Sequence, residues 1–140
     1  MRQIASRASQ PMSSRRKYFK RAAEFVTAVQ VDLDMDGFTY QKWGGTQRCK
    51  RCDWLVNNSG DIYTVDADTF SRTYRSSGPG TYVKATPVWA EVAEAGGAIP
   101  TKEGVTHYSP GDYLVYNQFH GGDGYAVERE EFERMYEPVD

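Results

Sequence analysis

A chain of 140 residues with 39% apolar and 14% aromatic side chains can bury one core, or two small ones that share a wall, and its ten tyrosines and three tryptophans favour strands over an aliphatic helical bundle. The formal charge of −2 conceals a division: seven cations from Arg2 to Arg21 precede the first acid, Glu24, and the rest of the chain carries 10 Lys/Arg against 19 Asp/Glu. No run of about 18 apolar residues is present to span a bilayer and no apolar secretory segment opens the chain, so a cytosolic protein without membrane contact is expected.

Residues 1–23 read as a basic, disordered arm. Its Arg15, Arg16, Lys17, Lys20 and Arg21 could neutralise nucleic-acid phosphates, and its Arg/Ser-rich, acid-free composition also describes an organellar transit peptide. "FVTAVQVDL" (25–33) alternates β-branched residues and predicts a strand. The stretch "DLDMDG" (32–37) copies the opening of a calcium-binding loop, but its twelfth position falls on Trp43 where a bidentate Glu is required, so the coordination shell cannot close. Asp36-Gly37 is then expected at the tip of a β-hairpin, with Asp32 and Asp34 on the solvent face of the strand before it.

The segment "QKWGGTQRCKR" (41–51) interleaves Trp43 with cations that include Arg48, Lys50 and Arg51, a pattern that suits phosphate contact and base stacking as well as a solvated hairpin. Cys49 and Cys52 form half of a zinc knuckle. Only His107 and His120 could complete it, and the alignment of the halves puts His107 opposite Arg48 rather than beside the cysteines, so two reduced turn cysteines and no metal are expected. "DWLVNN" and "IYTV", joined by a Gly-Asp turn, predict a hairpin. "DADTFSRTY" places Phe70 and Tyr74 on one face of a short helix with acids in its first turn.

"SSGPGT" (76–81) reads as a linker, because the same grammar then starts again. A shift of 59 residues superposes Thr27 on Thr86, Val29 on Val88, Gly37 on Gly96, Asp53 on Asp112, Leu55 on Leu114 and Asn58 on Asn117. After three extra residues in the second half, a shift of 62 superposes Asp61 on Asp123, Tyr63 on Tyr125, Phe70 on Phe132 and Tyr74 on Tyr136. The expected fold is α+β: two tandem copies of a β-hairpin-rich unit, 24–75 and 82–140, each closed by a short C-terminal helix and packed about a pseudo-twofold.

"RKYFKRAAEFVTAVQ" with "CDWLVNNSGDIYTVDADTFSRTY", and again "SPGDYLVY" with "GYAVEREEFERMYEP", resembles a group of short phage and prophage proteins without an assigned activity. The resemblance implies a phage origin, hence the host cytosol, and a small α+β domain. It brings no catalytic residue with it.

No nucleophile motif, metal-protease motif or P-loop is present, and no cofactor is expected. The recurring aspartates, Asp53 with Asp112 and Asp61 with Asp123, read as turn residues that cap their own backbone, and Trp54, Tyr113, Phe70, Phe132, Tyr74 and Tyr136 read as core. Function is therefore expected where the halves differ: the arm, Trp43 with Arg48, Lys50 and Arg51, and the loop "NQFHGGDG" (117–124) with Phe119 and His120. These features predict a non-enzymatic module that binds a host protein or a small charged ligand, with a nucleic-acid accessory protein and a virion component as alternatives. A homo-oligomer is compatible with each.

Overall fold

The computed structural model describes residues 14–139. The fold is α+β, as expected, with strands β1 (Arg16–Lys20), β2 (Val26–Gln30), β3 (Gly37–Lys42), β4 (Gly45–Lys50), β5 (Trp54–Asn58) and β6 (Asp61–Val65) leading to helix α1 (Ala67–Thr73). Then follow β7 (Tyr74–Gly78), β8 (Thr81–Lys84), β9 (Val88–Val92), β10 (Gly97–Pro100), β11 (Val105–Tyr108), β12 (Tyr113–Tyr116), β13 (Gly124–Val127), α2 (Arg129–Met135) and β14 (Tyr136–Pro138).

Two five-stranded antiparallel sheets carry the molecule, one in the order β6-β5-β2-β8-β7 and the other β13-β12-β9-β1-β14. Two further hairpins, β3-β4 and β10-β11, lie beside them and meet through a bridge between Gln47 and Gly104.

The basic segment is not an arm over residues 16–20. β1 sits inside a sheet, pairing Tyr18 with Val88 on one side and Lys20 with Tyr136 on the other. Its alternation explains this, since Tyr18 and Lys20 point inward while Lys17 and Phe19 face out, and Arg16, at the exposed start of the strand, lies near the Tyr18 ring. The expected linker is likewise structured: residues 76–81 belong to the β7-β8 hairpin, where Gly80 supplies a φ of +71° and Tyr74 pairs with Lys84. Between the end of β8 at Lys84 and the start of β9 at Val88 stands Pro87, which has no N–H to donate to a ladder.

The chain therefore crosses between the sheets after β1 and again after β8. Each sheet holds a strand from the far side of the boundary expected near residue 80.

Each large sheet packs a helix against a three-ring stack. On one, Phe70 of α1 lies between Trp54 (4.2 Å) and Tyr74 (4.5 Å). On the other, Phe132 of α2 lies between Tyr113 (4.2 Å) and Tyr136 (4.7 Å), with Tyr18 edge-on at 4.8 Å. Tyr74 and Tyr136 start strands rather than ending helices, yet still stack on the phenylalanine four residues back. Burying such a ring stabilises by about 1.5–3 kcal/mol, and ring pairing adds about 0.5–1.5 kcal/mol.

The turn expected at Asp36-Gly37 lies elsewhere. Residues 31–36 connect β2 to β3, and Gly37 opens β3 with φ +123°, where any Cβ would meet the carbonyl oxygen of Cys49. Asp32 and Asp34 thus belong to a connection and not to a strand face. The tip of the β3-β4 hairpin is Trp43-Gly44, with φ of 56° and 78°, the two positive values of a type I′ turn.

Asp53 and Asp112 do cap turns. Asp53 accepts from Lys50 N (2.8 Å), Lys50 Nζ (3.0 Å) and Ala67 N (3.0 Å), and Asp112 accepts from Ser109 N (2.9 Å). Cys49 is a buried residue of β4 rather than a turn residue, and burial pushes its thiol pKa up; Cys52 sits in the turn after β4 with φ 76°.

Candidate functional site: a cavity where the sheets meet

A cavity of about 410 Å³ opens where the two sheets and both helices converge. Its floor follows from register. Lys20, the last inward residue of β1, stands opposite Tyr136, and Lys84, the last residue of β8, stands opposite Tyr74. Both lysines are 9% exposed and both line the cavity.

The Nζ atoms of Lys20 and Lys84 each lie 5.9 Å from the centroid of the Tyr74 ring, so one aromatic wall serves two ammonium groups. Lys84 Nζ donates to the Tyr125 hydroxyl at 3.0 Å. Among the described residues neither lysine has a carboxylate within ion-pair distance, and Lys20 Nζ makes no hydrogen bond. Burial lowers Lys20 to about 8, with Glu24 opposing and Arg134 reinforcing the shift. Burial lowers Lys84 to about 7, helped by Lys20 and opposed by Asp123.

Four tyrosines complete the floor in two neighbouring pairs, Tyr63 with Tyr74 and Tyr125 with Tyr136. Burial pushes all four hydroxyls up, Tyr63 to about 12, so they remain protonated donors. A buried floor of two amines and four phenols offers N–H and O–H groups and positive charge, the complement of an anion. Charges buried in this way without an ionic partner are costly, and groups so perturbed cluster at functional sites.

Among the described residues six carboxylates line the cavity, Asp61, Glu103, Asp112, Asp123, Glu128 and Glu131, and of these Asp61, Asp123 and Glu131 are ion-paired, the last with Arg134 at 3.0 Å. Asp123 contacts Arg72 (2.8 Å) and Lys102 (3.0 Å), which keep its pKa low, and Asp61 contacts Lys42 (2.8 Å). They are ion-paired wall residues rather than backbone caps. The rim is uneven: Trp43 stands beside Tyr63 (5.7 Å) and His107, whereas Lys102 reaches Thr69 Oγ1 (3.0 Å) and Asp123.

The sequence-expected residues are scattered. Trp43 lines the cavity, but Arg48 donates to the Asp36 carbonyl (3.1 Å), Lys50 pairs with Asp53 (3.0 Å) and Asp66 (3.4 Å), and Arg51 faces Asp34 (3.6 Å). Phe119 and His120 form a separate corner with Trp89, 6.0 Å from Phe119. Arg15 is committed to the buried Glu91 (3.4 Å) and stacks on Tyr116 (4.1 Å). Arg21 binds the carbonyls of Glu133 and Arg134, both at 3.1 Å, while Arg16 approaches Tyr18 and Lys17 lies near Phe19 and Trp89.

Sequence reasoning missed Lys84 and placed Lys20 in the arm, assigned Tyr74 and Tyr136 to core, and gave Tyr63 and Tyr125 no role beyond their recurrence. The usable signal was "YFK" at 18–20 against "YVK" at 82–84, a recurrence spaced by 64 residues and hence invisible at the shifts of 59 and 62.

No protein-family model, curated protein or solved structure matches the chain. Among the described residues no helix is long and apolar enough to cross a membrane, and no group of three or more His, Cys, Asp or Glu side chains could hold a metal ion.

Proposed function

We propose that this chain is a non-enzymatic binding module that encloses a small anionic ligand between Lys20 and Lys84. The observation that carries the reading is two buried lysines on one cavity with no acidic partner among the described residues. A cavity of about 410 Å³ lies at the lower end of the roughly 300–1,000 Å³ that small-molecule sites occupy, so it suits a metabolite rather than a strand of nucleic acid. Of the described cations of the basic segment, Arg15 is bound to the buried Glu91 and Lys20 is buried on the cavity, and the segment from residue 16 to 20 is a paired strand, which favours this reading over phosphate contact through an arm.

In this proposal the module is phage-encoded, on the resemblance carried by "VTAVQ" and "GDYLVY", and capture of a host signalling compound is its use. Its two-copy origin is supported by matching registers: Val26 pairs with Tyr82 as Val88 pairs with Tyr18, and Trp54 with Val65 as Tyr113 with Val127. The unit would then begin at β1 and at β8, each first strand lying in the other copy's sheet. The three-residue slip falls in the 31–36 connection, so Val26 rather than Val29 corresponds to Val88.

Calorimetric titration with inorganic phosphate and ribose 5-phosphate at pH 6.5 and pH 9 tests the reading. Saturable binding is expected at pH 6.5. It should weaken by about 10-fold or more at pH 9, because an anion prefers the protonated amines and these lose their protons through about 7 and 8. Absence of binding at both pH values would sink it.

One observation favours a second reading. An amine with a pKa near 7 beside a phenol is also the setting of a Schiff-base lysine. Borohydride trapping with pyruvate distinguishes them: a covalent adduct on Lys84 would support carbonyl chemistry, and binding alone predicts none.

A further inference from the structure

The rim supplies what the floor lacks. Trp43 occupies the first position of a type I′ turn with φ 56°, a conformation that suits Asn, Asp or Gly and costs a tryptophan about 1 kcal/mol or more. The turn gains nothing from an indole. What the indole gains is a place on the cavity, held there by Trp43 O accepting from His107 N (2.9 Å) and by Gly44, where an added Cβ would come within 3.1 Å of the His107 ring. Trp43 remains 38% exposed, its ring 5.7 Å from that of Tyr63 and tilted 49° to it. Lys42, anchored to Asp61, stands 5.3 Å from its centroid. Strain kept where it presents a side chain to a cavity is the signature of a binding element.

The charge on the floor also discriminates. Two ammonium groups against one tyrosine ring match a group that carries two negative charges and at least three acceptor oxygens, which a phosphomonoester does and a carboxylate does not. We propose that the cavity takes an aromatic organic phosphate of mononucleotide size, its phosphate between Lys20 and Lys84 and its ring against Trp43. This rests on the anion-binding reading and adds the ring, the orientation and the phosphate. The cavity volume is too small for a continuing polynucleotide, and the charge of the wall residue Asp123, which is felt at Lys84, is offset by Arg72 and Lys102.

Calorimetry with AMP, UMP, ribose 5-phosphate and adenosine, on the wild type and on Trp43→Asn, separates the parts. Asparagine suits the turn, so the variant is expected to keep or raise its melting temperature. Nucleoside monophosphates are expected to bind the wild type roughly 10-fold or more tighter than ribose 5-phosphate, the gain that stacking one base gives. In Trp43→Asn that advantage should fall to within about twofold. Adenosine, lacking the phosphate, should bind at least 10-fold more weakly than AMP. Equal affinity for AMP and ribose 5-phosphate, or an AMP advantage that survives in Trp43→Asn, would overturn the assignment of the ring while leaving the anion site standing. No binding by any phosphate would overturn both.

Discussion

Lys84→Met is expected to make the protein more stable at pH 7 and at the same time to remove most of its affinity for phosphate compounds. The two effects have one cause. Lys84 Nζ sits in a site that lowers its pKa from 10.5 to about 7, faced by Lys20, Asp123, Tyr74 and Tyr125, so holding its charge opposes folding. A group whose folded pKa lies below its unfolded value binds fewer protons in the folded state, and stability then rises with pH between the two values. For Lys84 that window runs from about 7 to 10.5, and for Lys20, faced by Glu24, Arg134, Tyr74 and Tyr136, from about 8 to 10.5.

Methionine fills a similar volume without the charge. Its expected gain at pH 7, after loss of the Tyr125 hydrogen bond, is on the order of 2 kcal/mol, and the rise of stability between pH 7 and 9.5 should shrink in the variant. Above about pH 10 the sign reverses in both proteins, since the buried tyrosines keep protons that the unfolded chain releases. Urea unfolding at pH 7 and 9.5 reads the stability change, and titration with ribose 5-phosphate reads the affinity, expected to fall roughly 10- to 100-fold. A variant that loses stability and keeps its affinity would remove Lys84 from the site.

Phe132→Ala carries the largest expected loss of stability, about 3–5 kcal/mol. The ring is fully buried and contacts Tyr113, Tyr136 and Tyr18, so truncation leaves a void that three rings tied to different strands cannot jointly collapse into. Because Tyr136 is both stacked on Phe132 and part of the cavity floor, the same change should weaken phosphate binding. Phe132→Leu, which restores most of the volume, should recover the binding and about half of the stability. Chemical denaturation and calorimetry on both variants check this; binding that stays at the wild-type level in Phe132→Ala would uncouple the stack from the floor.

The local elements were legible because each is specified by neighbours in the chain. "DWLVNN" and "DYLVYN" became β5 and β12, "IYTV" and "GYAV" became β6 and β13, and the phenylalanines at 70 and 132 fell on the buried faces of α1 and α2. Asp53 and Asp112 capped turns as their positions required. The errors fell where partners are distant. "RKYFK" alternates as a strand should, but its cations outweigh that signal until Val88 and Tyr136 are placed on either side of it. "DMDG" has the composition of a hairpin tip, whereas Trp43-Gly44 does not, and only the β3-β4 register assigned the turn to the latter.

The sequence by itself determined β2, β5, β6, the two helices, the caps at Asp53 and Asp112 and the division of charge, since periodicity of two, periodicity near 3.6 and carboxylate-to-backbone bonds act over a few residues. Only the tertiary structure decided that Lys20 and Lys84, 64 residues apart, share the wall of Tyr74, because each is carried there by a strand that joins a sheet made mostly of the other half of the chain. A lysine in isolation prefers water; it is the surrounding pairing of β1 and β8 that withholds the water and leaves two amines with no carboxylate partner among the described residues.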